Sequence, residues 1–311
     1  MRRLFSLLLM TKLVMPLCAS DHESLLSHYH ALFTRQYRHL LQKIDAYFSD
    51  TSSHERFTYD RLLYDNRIET VFSFQYREHR LRPNLYLRGH IVLPRTSKKL
   101  ELVFSRQTTQ RLKNQAIDPE YERGVSDQRV NVGLKYYFFK KSDFALYSKI
   151  GMRLNLAKLD LYAKVGAERL VHTPYFNTIL SADLYHYLIE EGFIATGDID
   201  FVKHFSDTYT LEQDNRIVWR EDGEVTTTEH TLRLYHFYDR RNRFEYWISL
   251  LTRDDDRWNY CSDTYTAALK YHHDVNGWLF YEIIPQLYRS REEHFTLQRA
   301  ISVNFGLLFG G

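Results

Sequence analysis

The sequence predicts an all-β protein, an antiparallel transmembrane β-barrel of about fourteen strands (twelve is the alternative count) with an N-terminal amphipathic helix. Three observations support this class. Apolar and polar residues alternate with a period of two from residue 67 onward. A leader typical of export precedes the helix. The two longest connections between the predicted strands both fall in odd-numbered places, and every connection in an even-numbered place is short, as in membrane barrels.

The first element, residues 1–20, is predicted to be a signal peptide. Arg2 and Arg3 begin it, an apolar stretch follows, and small residues surround its end. Lys12 interrupts the apolar stretch, so an ordinary buried N-terminal segment is the alternative. Cys18 raises the possibility of a lipidated cysteine, although the residue before it is a leucine where a small residue is expected.

Charge and cysteine content exclude several classes of protein. Residues 1–20 carry three basic residues and no acidic ones, so Lys and Arg in the remaining chain fall to 39, which equals Asp and Glu. A neutral chain offers no basic surface for nucleic acid. Only Cys261 remains, which excludes an intrachain disulfide framework and a cysteine-rich zinc site. No apolar run beyond the leader is long enough for a spanning helix, which leaves the periplasm, the outer membrane or the exterior.

Residues 21–66 are predicted to form a periplasmic amphipathic helix, within 24–48, and a linker. Apolar residues recur there at helical spacing. They are Leu25, Tyr29, Leu32, Phe33, Tyr37, Leu40, Leu41, Ile44, Tyr47 and Phe48. Such a helix could pack on the rest of the protein, lie at a membrane surface or enter a barrel as a plug.

Residues 67–311 are predicted to form the barrel itself. In "RIETVFSFQYR", for example, Phe72 and Phe74 share one face while Glu69 and Arg77 share the other. Fourteen such segments are close to the length that a tilted strand needs to cross a bilayer. They are 67–78, 84–93, 99–106, 127–139, 143–154, 158–170, 175–187, 193–205, 207–220, 225–238, 242–253, 258–273, 276–288 and 298–309.

A soluble secreted β-sandwich also alternates, because its second face packs on another sheet. The aromatic residues at the ends of the predicted apolar faces favour a membrane barrel, in which they would form interfacial girdles. They are Tyr76, Tyr136, Phe138, Phe144, Phe244, Tyr246, Tyr271 and Phe309. The sequence therefore predicts the bacterial outer membrane as the location and its lipid as the main partner.

The last two predicted strands, "NGWLFYEIIPQLYRSREEHFTLQRAISVNFGLLFGG", resemble those of a family of uncharacterised proteobacterial outer-membrane β-barrel proteins. The stretches "IVLPRTSKKLELVFSR" and "KIDAYFSD" are similar to earlier segments of the same family. The resemblance implies the fold and the location, and it brings no catalytic or ligand residues with it. The end of the chain also resembles the assembly signal read by the outer-membrane insertion machinery, a second expected partner, although Gly311 departs from the final hydrophobic position.

The polar faces of the predicted strands would point into the lumen. The candidate lumen-facing residues are Arg67, Glu69, Arg88, Lys135, Lys149, Arg153, Asp160, Lys164, Asp198, Asp200, Glu212, Arg233 and Glu282. Charges of both signs could pair with one another and fill the lumen, or they could line a narrow hydrated pore. We therefore expect a small passive channel or a structural barrel whose solute the sequence does not reveal.

An outer-membrane enzyme that acts on lipid or peptide at the outer rim is the alternative function. The chain contains no serine-hydrolase, zinc-protease or phosphate-loop motif. The visible rim candidates are Asp254, Asp255 and Asp256, placed after the eleventh predicted strand, where paired carboxylates could hold water or Ca²⁺. A solvated charged turn explains them more simply, so we expect no catalytic residue, no metal and no cofactor.

Overall fold

The structure is a computed structural model that describes residues 27–36, 39, 67–77, 80–93, 100–106, 129–155, 158–189, 192–221, 226–254 and 260–309. It contains fourteen β-strands: β1 Arg67–Arg77, β2 Arg80–Leu93, β3 Leu100–Arg106, β4 Arg129–Lys140, β5 Phe144–Asn155, β6 Lys158–His172, β7 Asn177–Tyr187, β8 Gly192–His204, β9 Tyr209–Arg220, β10 Thr226–Phe237, β11 Asn242–Asp254, β12 Tyr260–Asp274, β13 Leu279–Ser290 and β14 Gln298–Phe309. Residues 27–36 form a helix, α1. Within the described residues, no helix is long and apolar enough to cross a bilayer.

All fourteen strands belong to one closed antiparallel barrel. Each strand pairs with its neighbours along the chain, and β1 pairs with β14 to close the sheet. The closing register runs from Ile68 opposite Phe309 to Arg77 opposite Ala300. The predicted strand count and fold class are therefore confirmed, and the strands form a single closed sheet instead of the two packed sheets of a sandwich.

Every strand except β14 differs from its predicted segment by one to four residues at one or both ends, and two of these differences have a clear physical basis. Strand β2 begins at Arg80 and includes Pro83, which lies opposite Phe74, whereas the prediction began the strand at residue 84. Proline cannot donate to a ladder, so alternation is a weak signal around it. Strand β11 continues to Asp254 because its register with β12 shifts after Leu251 and pairing then resumes as far as Tyr260. That shift is the signature of a β-bulge, which sequence periodicity does not reveal.

Alternate residues of each strand point to opposite sides of the barrel wall. On β5, Tyr147 and Arg153 are buried on the inward side, whereas Ile150 on the outward side is 63% exposed. The same alternation on β11 buries Trp247 and exposes Ile248 to 59%. Many of the buried residues thus belong to the inward face, which we call the lumen wall, and the outward face is apolar and open.

Because neighbouring strands run in opposite directions, odd-numbered connections share one end of the barrel. The long connections 107–128 and 291–297 both lie at that end. The connections at the other end include the short turns 141–143 and 275–278. The two longest connections therefore join strand ends at one end of the barrel, as predicted.

Helix α1 lies at the end of the barrel that carries the short turns. The Nε2 atom of His30 is 2.9 Å from the carbonyl oxygen of Leu308. The His30 ring stacks on Trp278 at 4.5 Å, and the Phe33 ring lies 4.6 Å from that of Phe309, measured between centroids. By its alternation with the rest of β14, Phe309 belongs to the outward face. The described part of the predicted helix 24–48 therefore contacts the rim, whereas the predicted signal peptide and most of 21–66 lie outside the described residues.

Candidate functional site: the lumen wall

The lumen wall contains nearly all of the charged residues predicted from the sequence to face inward. The registers place them on consecutive strands and opposite one another, with Arg153 opposite Asp160 and Glu212 opposite Arg233. Arg67 is the first residue of β1, where it lies opposite His90, and its side chain is outside the described set.

Two buried ion pairs join β5, β6 and β7 along the wall. Arg153 Nη2 lies 3.2 Å from Asp160 Oδ2, and Lys164 Nζ lies 2.6 Å from Asp183 Oδ2. Asp183 also accepts a 2.6 Å hydrogen bond from the hydroxyl of Tyr147. Each carboxylate thus neutralises a cation from the adjacent strand, as buried charges require.

A larger network surrounds Arg233 on β10. Its guanidinium contacts Glu212 at 3.5 Å and Asp214 at 3.2 Å on β9, and Glu245 at 2.9 Å on β11. Lys270 on β12 extends the network through a 2.6 Å contact with Glu245. Three carboxylates thus surround one arginine and one lysine on this part of the wall.

Glu282 on β13 connects that network to the closing seam of the barrel. Its Oε1 atom lies 3.1 Å from Nδ1 of His272 and 4.0 Å from Nζ of Lys270. Its Oε2 atom accepts a 2.9 Å hydrogen bond from the amide of Asn304 on β14. Glu282 therefore holds together three consecutive strands, β12 to β14.

The remaining predicted lumen residues are also placed along the wall. Glu69 pairs with Arg88 at 2.6 Å, Lys135 with Glu168 at 3.6 Å, and Asp198 with Arg216 at 2.9 Å. Asp200 on β8 lies directly opposite Asp214 on β9. Only Lys149 among the predicted cations described here has no carboxylate at ion-pair distance.

The predicted rim cluster is only partly described. Asp254 is the last residue of β11 and is 8% exposed, so it belongs to a strand and not to the solvated connection in which the prediction placed it. Asp255 and Asp256 lie outside the described residues. In the part of the chain that the structure describes, no group of three or more His, Cys, Asp or Glu side chains is arranged to hold a metal ion.

Tyrosine rings lie over glycines on the lumen wall. The sequence-based prediction named only charged residues as lumen candidates and therefore missed these contacts. A Cβ atom built on Gly151 would lie 2.7 Å from Cζ of Tyr162, and one built on Gly166 would lie 2.6 Å from Cζ of Tyr147. Any larger residue would push these rings into the lumen. Strand alternation already puts both tyrosines on the polar face, but which glycine each ring covers depends on the register.

The seam between β13 and β14 is closed in the same way. The ring of Phe280 occupies the space that a side chain at Gly306 would take. Phe280 faces inward and is only 3% exposed. The space beside Gly306 is thus filled by an aromatic ring from the neighbouring strand.

No protein-family model matches the chain, and no characterised protein matches it by sequence. The expected membership of an uncharacterised barrel family therefore stays an expectation. Solved structures with a similar arrangement include an OmpT mutant from Vibrio cholerae that lacks loop L8, at 7% identity and a TM-score of 0.48, covering 79% of this chain and 98% of that one. The outer membrane channel DcaP of Acinetobacter baumannii matches at 7% identity and a TM-score of 0.44, covering 78% and 96%. The KdgM porin matches at 7% and 0.36, covering 77% and 98%. No function is transferred from proteins at these identities and scores.

Proposed function

We propose that the chain spans the outer membrane of a Gram-negative bacterium. The outward face supports this, because large apolar side chains such as Ile150, Val165 and Ile248 are each more than half exposed on it. Leaving apolar surface in water costs about 25 cal/mol per Å², a cost that lipid removes. A closed antiparallel barrel also satisfies the hydrogen bonds of its backbone without a free edge, which the hydrocarbon core of a membrane requires.

An aromatic belt on the outward face supports the same proposal. Five rings on the adjacent strands β9 to β13 follow one another near the end of the barrel that carries the short turns. The successive centroid distances are 4.5 Å for Tyr209–His236, 6.0 Å for His236–Phe244, 5.2 Å for Phe244–Tyr271 and 6.1 Å for Tyr271–Tyr281. Aromatic girdles of this kind lie at membrane interfaces. The belt then marks the periplasmic boundary of the bilayer.

Within that membrane, we propose that the barrel acts as a narrow passive channel for small polar solutes. The observation that supports the channel is that the ion pairs run along the wall and not across the lumen. Among the described residues, Arg153–Asp160, Lys164–Asp183 and the pairs around Arg233 join strands that are adjacent in the wall. Charges that pair along the wall neutralise one another without crossing the lumen. A barrel of eight strands is filled by its own side chains, whereas fourteen strands enclose a wider interior.

Buried polar atoms on β10 to β14 point to water held within the lumen wall. Within the described part of the chain, the hydroxyls of Thr231 and Ser302, the indole N–H of Trp247 and both amide atoms of Gln286 are buried without a hydrogen-bond partner. Leaving such groups unsatisfied costs about 1–3 kcal/mol each. Because these atoms are closed to bulk solvent, water molecules enclosed within the wall would supply their partners.

Conductance across a planar bilayer tests the channel directly. We expect the chain from Asp21 onward, folded in detergent and shown by heat-dependent gel mobility to be folded, to give stepwise ionic currents. The same protein after boiling is the control and should give none. A folded barrel that inserts but carries no current, even after residues 21–50 are deleted, would contradict the channel and leave a structural barrel.

A further inference from the structure

Three lysines lie directly opposite one another on three adjacent strands of the lumen wall. The registers pair Lys135 on β4 with Lys149 on β5, and Lys149 with Lys164 on β6. We call these residues the lysine row. Like charges in directly opposite positions destabilise a sheet, so this row needs either compensating carboxylates or a ligand.

The carboxylates compensate two of the three lysines. Lys135 pairs with Glu168 at 3.6 Å, and Lys164 pairs with Asp183 at 2.6 Å. The central Lys149 has no carboxylate at ion-pair distance among the described residues, and its Nζ atom lies 5.3 Å from the centre of the Tyr162 ring. One positive charge of the row is therefore not neutralised by the wall.

Tyr162 contributes a second unused donor at the same place. Its side chain is 5% exposed, and its hydroxyl has no hydrogen-bond partner within the described residues. A Cβ atom built on Gly133 would lie 2.5 Å from Cε of Lys149 and 2.7 Å from the hydroxyl oxygen of Tyr162. The ends of both side chains thus lie above Gly133, and a Cβ atom there would force at least one of them to shift.

Aromatic rings hold the flanking lysine in position. The Nζ atom of Lys135 lies 3.6 Å from the centre of the Tyr147 ring and 4.6 Å from that of Tyr137. Cation–π contacts of this kind fix an ammonium group without neutralising its charge. The three ammonium groups of the row thus lie on β4 to β6, apart from the carboxylates around Arg233 on β9 to β11.

We propose that Lys149 and Tyr162 form an anion-binding subsite in the lumen, which takes the carboxylate or phosphate group of a small solute. An oxyanion can accept from the ammonium group and from the phenol hydroxyl at once, and both bonds are charge-assisted. The flanking Lys135 and Lys164 add attraction for the anion, and neither of them can pair with Lys149 in its place. The proposal rests on the proposed channel, because the lumen is the route by which a solute reaches these groups.

Inhibition of single-channel current by inorganic phosphate and by acetate tests the subsite. We expect phosphate, acetate or both to reduce the current of the unmodified channel, and the reduction should saturate as the anion concentration rises. Lys149→Gln should raise the half-inhibiting concentration about tenfold, because a hydrogen bond to a charged group contributes about 1.5–3 kcal/mol. Tyr162→Phe should raise it about threefold or more, and Lys149→Arg should restore it to within about threefold of the unmodified protein.

Lys270→Gln is the matched control, because it removes the same charge from the opposite side of the lumen, where Lys270 contacts Glu245. The half-inhibiting concentration for this variant should stay within about twofold of that for the unmodified channel. An equal loss in both glutamine variants would show that general lumen charge attracts the anion, and it would overturn the subsite. Inhibition by phosphate alone or by acetate alone would assign the ligand group.

Calorimetric titration of the folded protein in detergent with the same two anions separates the subsite from the channel. Binding that Lys149→Gln abolishes, in a protein that carries no current, would support the subsite and contradict the channel. A conducting protein that shows neither saturable inhibition nor binding would contradict the subsite and leave the channel standing.

Discussion

At the scale of single residues, glycines decide how much of the lumen the tyrosines occupy. Gly151 lies beneath Tyr162, and a Cβ atom there would also lie 2.5 Å from the carbonyl oxygen of Val132. The backbone cannot move away as easily as a flexible side chain can. The tyrosine rings stay flat against the wall because these positions lack a side chain.

We therefore expect Gly151→Ala to lower the free energy of unfolding by about 1–3 kcal/mol, the usual cost of overpacking. Gly197→Ala is the control, because the nearest atom to its new Cβ would be Cγ2 of Ile217 at 3.2 Å, so its effect should be smaller. Urea unfolding followed by tryptophan fluorescence in lipid vesicles measures both. Equal stabilities would contradict the close packing of Tyr162 on the wall.

The lysine row makes a second prediction at this scale, since its members differ in their partners. Lys164→Gln leaves Asp183 buried without its cation and should cost about 3 kcal/mol or more. Lys149→Gln removes a charge that faces two other lysines and should be neutral or stabilising by up to about 1 kcal/mol. The same urea experiment ranks the two variants. A larger loss for Lys149→Gln than for Lys164→Gln would mean that Lys149 has a stabilising partner in the folded barrel.

At the scale of elements, period-two alternation was sufficient to predict fourteen strands. It was not sufficient to predict register, because the alternation of Lys135, Lys149 and Lys164 says nothing about which residues lie opposite them. Their alignment depends on the pairing of β4 with β5 and of β5 with β6. The lysine row and the tyrosine–glycine contacts were therefore beyond sequence reasoning.

The sequence of α1 did not predict which part of the protein the helix contacts, because an apolar stripe does not specify its partner. His30 and Phe33 contact Leu308 and Phe309 at the rim. We therefore expect deletion of residues 21–50 to leave the single-channel conductance within about twofold of its original value. An increase of several-fold would indicate that this segment occludes the lumen. Heat-dependent gel mobility of the shortened chain checks that the barrel still forms.

At the scale of the whole molecule, the two sides of the wall have opposite character. The outward side is apolar and carries an aromatic belt, which suits lipid. The lumen side pairs its charges between neighbouring strands and keeps the row of lysines apart from the carboxylates around Arg233. Burial and alternation at this scale follow from the sequence, whereas the separation of charge across the lumen follows from the closure of β1 on β14.

The central claim is that the lumen is open to water and the outward face is not. The most direct test uses neighbouring residues of β11, inward-facing Ser249 and outward-facing Ile248. In a chain that starts at Asp21 and carries Cys261→Ser, a charged thiol reagent that cannot cross membranes should modify Ser249→Cys and lower its single-channel current in discrete steps. It should leave the current of Ile248→Cys unchanged, because lipid covers that position. An unmodified Ser249→Cys, or equal modification at both positions, would contradict the open lumen.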